Sequence, residues 1–194
     1  WSYDQCLPYF KAGENSDRGE NKWRGGNGYL GVTKGSFQNP LFDALEEAGT
    51  QSGQGHSEDL NGFNPEGTAR LDATRKNGRR CSAAVAHLRP ALARGNITLI
   101  TKAQVEKINI SGNSATGISY RHKNKVHSAE ANKEVILSGG AINSPHLLML
   151  SGIGSTDHLK EHGIETKVNL PGVGQNLQDH ATVILQYACK KSFP

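Results

Sequence analysis

Apolar positions change spacing along this chain, and each change predicts an element. Leu41, Ala44, Leu45 and Ala48 recur on one helical face, Pro40 suits a first helical position and Gly49 a stop. Ser82 opens a second helical stretch, with Ala83, Ala86 and Leu88 read as helical, that Pro90 should kink or end. From Asn96 the texture turns to strands. Ile97–Leu99 reads as one. Gln104–Ile110 alternates, with Val105, Lys107 and Asn109 on one face and Glu106, Ile108 and Ile110 on the other. Asn113 supplies a turn, 115–120 returns and 125–129 follows as a weaker strand, so the pattern predicts a small antiparallel meander. Val135-Ile136-Leu137 is a continuous apolar run, expected to be a buried strand. A short helix over 156–162 is stopped by Gly163, a strand covers 165–168, and Val183–Tyr187 predicts a last strand. Upstream, Gly28–Val32 and 67–74 read as short strands, and 14–27 and 51–67 as loops with a turn at Asn61-Gly62. The aromatic start, Trp1, Tyr3, Tyr9 and Phe10, should pack on a neighbour, and Pro8 should interrupt any long helix there.

The richest stretch runs from Val135 to His180. The strand is followed by Ser138-Gly139-Gly140, where backbone can approach another group closely. Asn143 or Ser144 then reads as an N-cap, Pro145 as the first helical residue, and 146–150 as the helix, with Ser151-Gly152 as its stop. Strand, glycine turn and capped helix is how α/β proteins bring a helix N-terminus to an anionic ligand; a plain tight turn reads the same way. The fold class expected is α/β with an α+β part.

Composition narrows the function classes. The 194 residues suffice for a domain with its own core. A net charge of +4 is small and dispersed, with no basic stripe or zinc-finger spacing, which argues against nucleic acid. Nothing approaches 18 consecutive apolar residues, so no transmembrane segment is expected, and no signal peptide is read at the start. Cys6, Cys81 and Cys189 are isolated, which supports neither a disulfide framework nor a metal site. His158 and His162 are spaced i, i+4, as metal-binding pairs are, but no third ligand is evident, so no metal is expected. Asp179 and His180, as strand neighbours, would point to opposite faces rather than form a dyad. The basic cluster Arg75, Lys76, Arg79 and Arg80 reads as a solvated turn. Asn96-Ile97-Thr98 and Asn109-Ile110-Ser111 match glycosylation acceptors, but both fall in expected strands.

Several blocks together resemble the glucose-methanol-choline (GMC) flavin oxidoreductases. Gly139–Gly154 is similar to that family's second signature, and LPGVGQNLQDH over Leu170–His180 to the segment after it. WSYDQCLPYF at the start, Asn61-Gly62 with Gly67, and RCSAAVAHLRPAL follow in the family's order. The wording is closest to the family's choline dehydrogenases and related alcohol dehydrogenases. The resemblance covers the middle of such an enzyme: the G-x-G-x-x-G motif and the C-terminal catalytic histidine of the family have no counterpart in these residues, and the start on Trp1 with Met149 as the one methionine is read as that of a fragment.

The resemblance implies FAD as cofactor and an alcohol as the small-molecule substrate, which gives a hydride to flavin N5 while a histidine takes the hydroxyl proton. It implies part of a FAD/NAD(P)-binding Rossmann-like domain with part of an antiparallel-sheet substrate domain: 1–74 substrate or cap portion, 75–177 central FAD-binding portion, 178–194 the start of the substrate-domain strands. Val105 matches the valine whose backbone pairs with adenine, and Ser138, Gly139 and Gly140 match the turn beside the adenosine or pyrophosphate. No catalytic residue is expected within the chain. Choline-acting members carry Glu where Thr182 stands, and a neutral hydroxyl offers no charge to a trimethylammonium group. The expectation is therefore an alcohol dehydrogenase, with choline dehydrogenase proper, a FAD-containing hydroxynitrile lyase and a non-catalytic truncated chain as alternatives. The electron acceptor, oxygen or a quinone, and the compartment, mitochondrial or secreted, are left open by the sequence.

Overall fold

The structure is a computed structural model that describes residues 1–36 and 38–190. It divides into two compact units, Trp1–Leu99 and Ile100–Pro194. The final four residues of the expected 178–194 segment lie outside the described residues.

The first unit opens with helix α1 (Tyr3–Gly13), which runs through Pro8 rather than stopping at it. Its start explains why. Ser2 Oγ accepts from the Gln5 N–H and the Gln5 side chain accepts from the Ser2 N–H, a capping box that the Ser2…Gln5 spacing spells out. Pro8 removes one helical hydrogen bond but leaves the rest intact. The aromatic start is only partly packed: Tyr3 and Phe63 flank Trp23, while Trp1, Tyr9 and Phe10 are exposed.

Strand β1 (Glu14–Ser16) pairs in parallel with β2 (Leu30–Val32). Helix α2 (Pro40–Gln51) is capped by Asn39, whose side chain accepts from the Leu41 N–H, with Pro40 at its start as expected. It does not stop at Gly49. That glycine is buried inside the helix against Thr68, where a Cβ would fall 2.2 Å from Thr68 Cγ2. The basic cluster forms a hairpin, β3 (Arg75–Lys76) and β4 (Arg79–Arg80), turned by Asn77-Gly78 with both φ angles positive, the strongest short-range hairpin signal. Residues 67–74 make isolated bridges at Thr68 and Ala73 instead of the expected strand. Beyond Ser82 a π-helical turn (Ala84–Leu88), in which the Arg89 N–H reaches back to the Ala84 carbonyl, runs into α3 (Arg89–Ala93). The wide turn sits just ahead of Pro90, which cannot donate, so the helix bends its bonding pattern there and does not end.

Apolar burial in this unit is slight. Its buried side chains are Cys81 and Ala86 with Ser16, Arg24 and Ser57. What joins its loops is an ion cluster. Arg24, 4% exposed, contacts Glu14 at 2.7 Å and Asp59 at 2.6 Å, and pairs with Asp72. Arg18 grips Asp72 at 2.9 Å and donates to the Glu58 carbonyl at 2.7 Å. Hydrogen bonding from Arg24 holds the Asp59 carboxyl below its ordinary range, with the Asn61 N–H and the charges of Arg24 and Arg18 adding to it against the effect of burial. Hydrogen bonding to Asp59 and Glu14 correspondingly raises the Arg24 guanidinium, again against burial.

The second unit is built on a three-stranded antiparallel sheet in the order β5 (Ala103–Ser111), β6 (Ser114–His122), β7 (Lys125–Glu130), the meander read from the sequence. The expected alternation in β5 is broken. Register passes from Val105↔Tyr120 to Lys107↔Ser119, leaving Glu106 as the extra residue of a bulge. The phase slips there, so Val105 and Ile108 both turn inward and Ile108 is buried. Residues 97–99 and 135–137 are not strands: each lacks a ladder partner among the described residues. Burial still alternates over residues 135–137, with Val135 and Leu137 half-buried and Ile136 77% exposed. Helix α4 (Gly140–Leu150) starts well before the expected Asn143–Pro145 boundary and holds Pro145 inside it. Strand β8 (Ile153–Gly154) pairs in parallel with β9 (Val168–Asn169), which is later and shorter than the strand expected over 165–168, and α5 (Thr156–Glu161) lies between them. Val183–Tyr187 forms no strand and is exposed.

The ion cluster yields a direct prediction. Removing Arg24 leaves up to three carboxylates uncompensated in a poorly solvated place, so Arg24→Ala should cost about 3–5 kcal/mol of stability. Both tryptophans lie in this unit, so urea unfolding followed by their fluorescence reads it alone. Because the Asp59 pKa is depressed in the folded state, its contribution is present above about pH 4, the unfolded carboxylate value, and is lost as pH falls through the lower folded value. Arg24→Ala should flatten that acid limb.

Candidate functional site

The expected cofactor residues fall in the second unit. Val105, Ser138 and Gly139 line one cavity of about 350 Å³, with Gly140 next in the chain after it. One wall is the edge strand β5, through Gln104 and Val105, with Ile118 from β6. A second is the run Val135–Gly139, and the third is α4, through Asn143, Ser144, His146, Leu147 and Leu150. The lining is apolar side chains with amides, hydroxyls and one imidazole, and it contains no carboxylate. Such a surface suits a flat, uncharged ring that needs a few directed hydrogen bonds.

Local chemistry shapes the turn. The Gly139 N–H donates to Ser144 Oγ at 3.0 Å, so Ser144 stabilises the helix start from inside the helix, not as its cap. A Cβ on Gly139 would lie 3.2 Å from Asn143 Cβ and from the Ser144 nitrogen. Gly140 has φ +84°, left-handed backbone that strains other residues. The first N–H groups of an α-helix have no partner within it, so the start of α4 presents donors and the positive end of the helix dipole. Val105 keeps its carbonyl engaged by Gln104 Nε2 at 3.3 Å.

The two long walls are fastened by a residue that the sequence reading took for a helix stop. Ser151 is buried; its Oγ accepts from the Ile108 N–H at 2.8 Å and donates to the Leu147 carbonyl at 2.6 Å. It therefore ties β5 to the last turn of α4. Ser144 and His146 were also missed. The sequence reads Ser144 as a cap candidate and His146 only as a helical position. The i, i+1, i+3 placement of Asn143, Ser144 and His146 on a helix beginning at the glycines is the signal that would have grouped them.

Other expected positions stand apart. Thr182 is exposed and is not among the residues lining this cavity. Asp179 and His180 form no side-chain dyad; the His180 N–H donates to Asp179 Oδ1 at 2.8 Å. Asn109 Oδ1 accepts from Ser119 Oγ at 2.9 Å inside the sheet, whereas Asn96 is exposed in a loop. In the first unit an aromatic-lined cavity of about 500 Å³ includes Tyr3, Phe10 and Trp23, and its Arg24 and Asp72 are already paired with each other. Among the described residues no helix is long and apolar enough to cross a membrane.

A chain of mixed helices and strands agrees with what comparison finds. Residues 1–182 match the family described as GMC oxidoreductase, and the chain belongs to that family. It is 47% identical over 194 residues to the oxygen-dependent choline dehydrogenase of Staphylococcus xylosus, covering 98% of this chain and 34% of that one. It is likewise 47% identical over 191 residues to the mitochondrial choline dehydrogenase of Homo sapiens, covering 98% of this chain and 32% of the relative. Among solved structures, a FAD-dependent oxidoreductase from Chaetomium thermophilum superposes with a TM-score of 0.85 at 28% identity, over 92% of this chain and 34% of that one. Pyridoxine 4-oxidase from Mesorbium loti gives 0.82 at 31% identity, over 88% and 34%. The chain thus spans about a third of the length of these relatives.

Ser151→Ala should strip the Ile108 N–H of its partner in a buried place, at about 1–3 kcal/mol. Hydrogen exchange at the Ile108 amide should speed up more than at amides of the β6–β7 pairing, while far-UV circular dichroism stays unchanged.

Proposed function

We propose that this chain is the part of a FAD-dependent alcohol oxidoreductase that holds the adenosine end of FAD. The observation that carries the reading is the meeting of Val105, Ser138 and Gly139 on one carboxylate-free cavity in a chain of this family. The fit rests on chemistry. The apolar lining accepts an adenine ring, and the edge strand offers backbone groups to its rim. The donors at the start of α4 suit a ribose oxygen or phosphate, and the left-handed Gly140 keeps that approach free of a side chain. When bound, FAD supplies the flavin ring that accepts a hydride from the alcohol carbon.

The role of these residues is to bind and orient. Val105, Ser138, Gly139 and Gly140 fix one end of the cofactor, and Ser151 keeps the two walls in register. Removal of the hydroxyl proton falls to a histidine that the family resemblance puts beyond these residues. The segment 1–74 belongs with the substrate or cap side, 75–177 with the FAD-binding side and 178–194 with the substrate-domain strands. The substrate is an alcohol. Two relatives named choline dehydrogenase, at 47% identity, favour choline as a second reading, against the neutral Thr182.

The test is the reading frame in which this sequence lies, expressed with all that flanks it. The purified protein should carry flavin absorbance that bleaches anaerobically with one of a panel of choline, simple alcohols and aromatic alcohols. Absence of flavin, or cyanohydrin cleavage without bleaching, would overturn the reading. Gly140→Val should lower flavin occupancy. Thr182→Glu should shift preference toward choline over a neutral alcohol of similar size, seen as the ratio of kcat/KM values.

A further inference from the structure

Helix α5 carries a second cluster of chemistry-bearing groups, apart from the proposed cofactor cavity. His158, Glu161 and His162 stand at i, i+3 and i+4, which puts them on one helical face. Their donor atoms all lie within 4.8 Å of one another. His158 Nδ1 is 4.0 Å from Glu161 Oε2, and the two imidazole rings meet edge to face with centroids 4.8 Å apart. The third ligand that the sequence reading lacked is therefore Glu161, brought in by the same turn of helix.

We propose that His158, Glu161 and His162 form a surface site for a divalent transition-metal ion, with Zn²⁺ and Cu²⁺ as the cations its chemistry favours. Two imidazole nitrogens and one carboxylate oxygen make a donor set for these ions, with water completing the shell. Ca²⁺ and Mg²⁺ call for several oxygen ligands, and the site offers one residue of that kind. A metal at about 2 Å from each donor draws the three atoms closer than they now stand. All three side chains are exposed, so rotation about their side-chain bonds closes the gap without moving the backbone.

The platform beneath them is fixed. Leu159, next to His158 in the chain, is 1% exposed and anchors the helix. The helix ends in a Schellman motif: the Ile164 N–H bonds to the Leu159 carbonyl at 2.9 Å and the Gly163 N–H to the Lys160 carbonyl at 3.0 Å, with Gly163 at φ +69°. His162 is the C-cap of that motif and sits on a defined turn, not a frayed end. Lys160 lies two residues from His158 and so faces away from the site. The exposed imidazoles have no carboxylate or carbonyl behind them among the described residues, so the affinity is that of a surface chelate, below that of a buried catalytic centre. A bound ion would clip the two turns of α5 together.

Titration calorimetry with ZnCl₂ on the whole tag-free protein, first stripped with EDTA, tests this. One saturable ion per chain is expected at this site, and Cu²⁺ should give an electron paramagnetic resonance spectrum with coupling to two nitrogens. His158→Gln or His162→Gln should each weaken binding by at least about tenfold, the loss that even an outer-shell partner can cause. Glu161→Gln should weaken it less. His127→Gln serves as control, because His122 and His127 form another close pair, with centroids 6.2 Å apart. Absence of saturable binding would overturn the proposal, as would binding unchanged by His158→Gln and His162→Gln or abolished by His127→Gln. Flavin content and turnover play no part in these readouts, so the result stands or falls apart from the oxidoreductase reading.

Discussion

The first unit depends on a charge that has been taken out of water. Arg24 is almost fully buried and meets Glu14, Asp59 and Asp72, which lie 10, 35 and 48 residues away along the chain. Each carboxylate belongs to a different piece of backbone. Glu14 begins β1 at the end of α1, and its other oxygen also accepts the Gly25 N–H at 3.0 Å. Asp59 caps the turn at Asn61-Gly62, and Asp72 lies beside the Ala73 bridge to Thr33. The cluster therefore does what an apolar core does elsewhere. A buried ion pair is weak grounds for added stability, since desolvation offsets much of the attraction. Its effect here is on arrangement: loops that have few apolar contacts to choose among conformations are held by the geometry of one fork-shaped cation.

The second unit answers the same need with less charge. Ile108 and Leu159 are its buried apolar residues, and Ser151 links strand to helix through a hydroxyl that both accepts and donates. Many apolar residues on both units stay exposed, among them Ile142 at 72% and Val183 at 82%. The chain spans about a third of its relatives' length. Val183–Tyr187, a strand by every local sign, has no ladder partner among the described residues: β propensity specifies a surface ready to pair, and pairing needs a neighbour.

What was legible in the sequence follows the same division. The β5–β7 meander, the Pro40 helix start and the Gly163 stop were readable because periodicity and end signals are local. The capping box of Ser2 and Gln5 and the Asn77-Gly78 hairpin are equally local signals, set beside the louder ones of Pro8 and the basic cluster. Other features were out of reach. The Glu106 bulge inverts the expected faces of β5, and nothing in an alternating string marks where one residue will be left unpaired. The true start of α4 at Gly140 runs against the usual reading of Ser-Pro, because the Ser144 hydroxyl supports the turn from within. In the Arg24 cluster, Arg24 reaches 48 residues and Arg18 reaches 54 to the same Asp72, and no window of sequence contains it.

The cavity proposed for the cofactor shows why a site read through backbone would leave so faint a trace. Recognition by a strand edge and a helix start uses N–H and C=O groups, which every residue but proline carries. Val105, Ser138 and Gly139 are then constrained by size and conformation more than by side-chain chemistry, so residue type alone does not announce them. The constraint surfaces only where a side chain is forbidden, at the left-handed Gly140, and where two walls must be kept in register, at Ser151. The chain's sharpest demands on sequence therefore fall on residues that shape and fasten the cavity. A site read through backbone is specified by its supports, and those supports are where its substitutions will be felt.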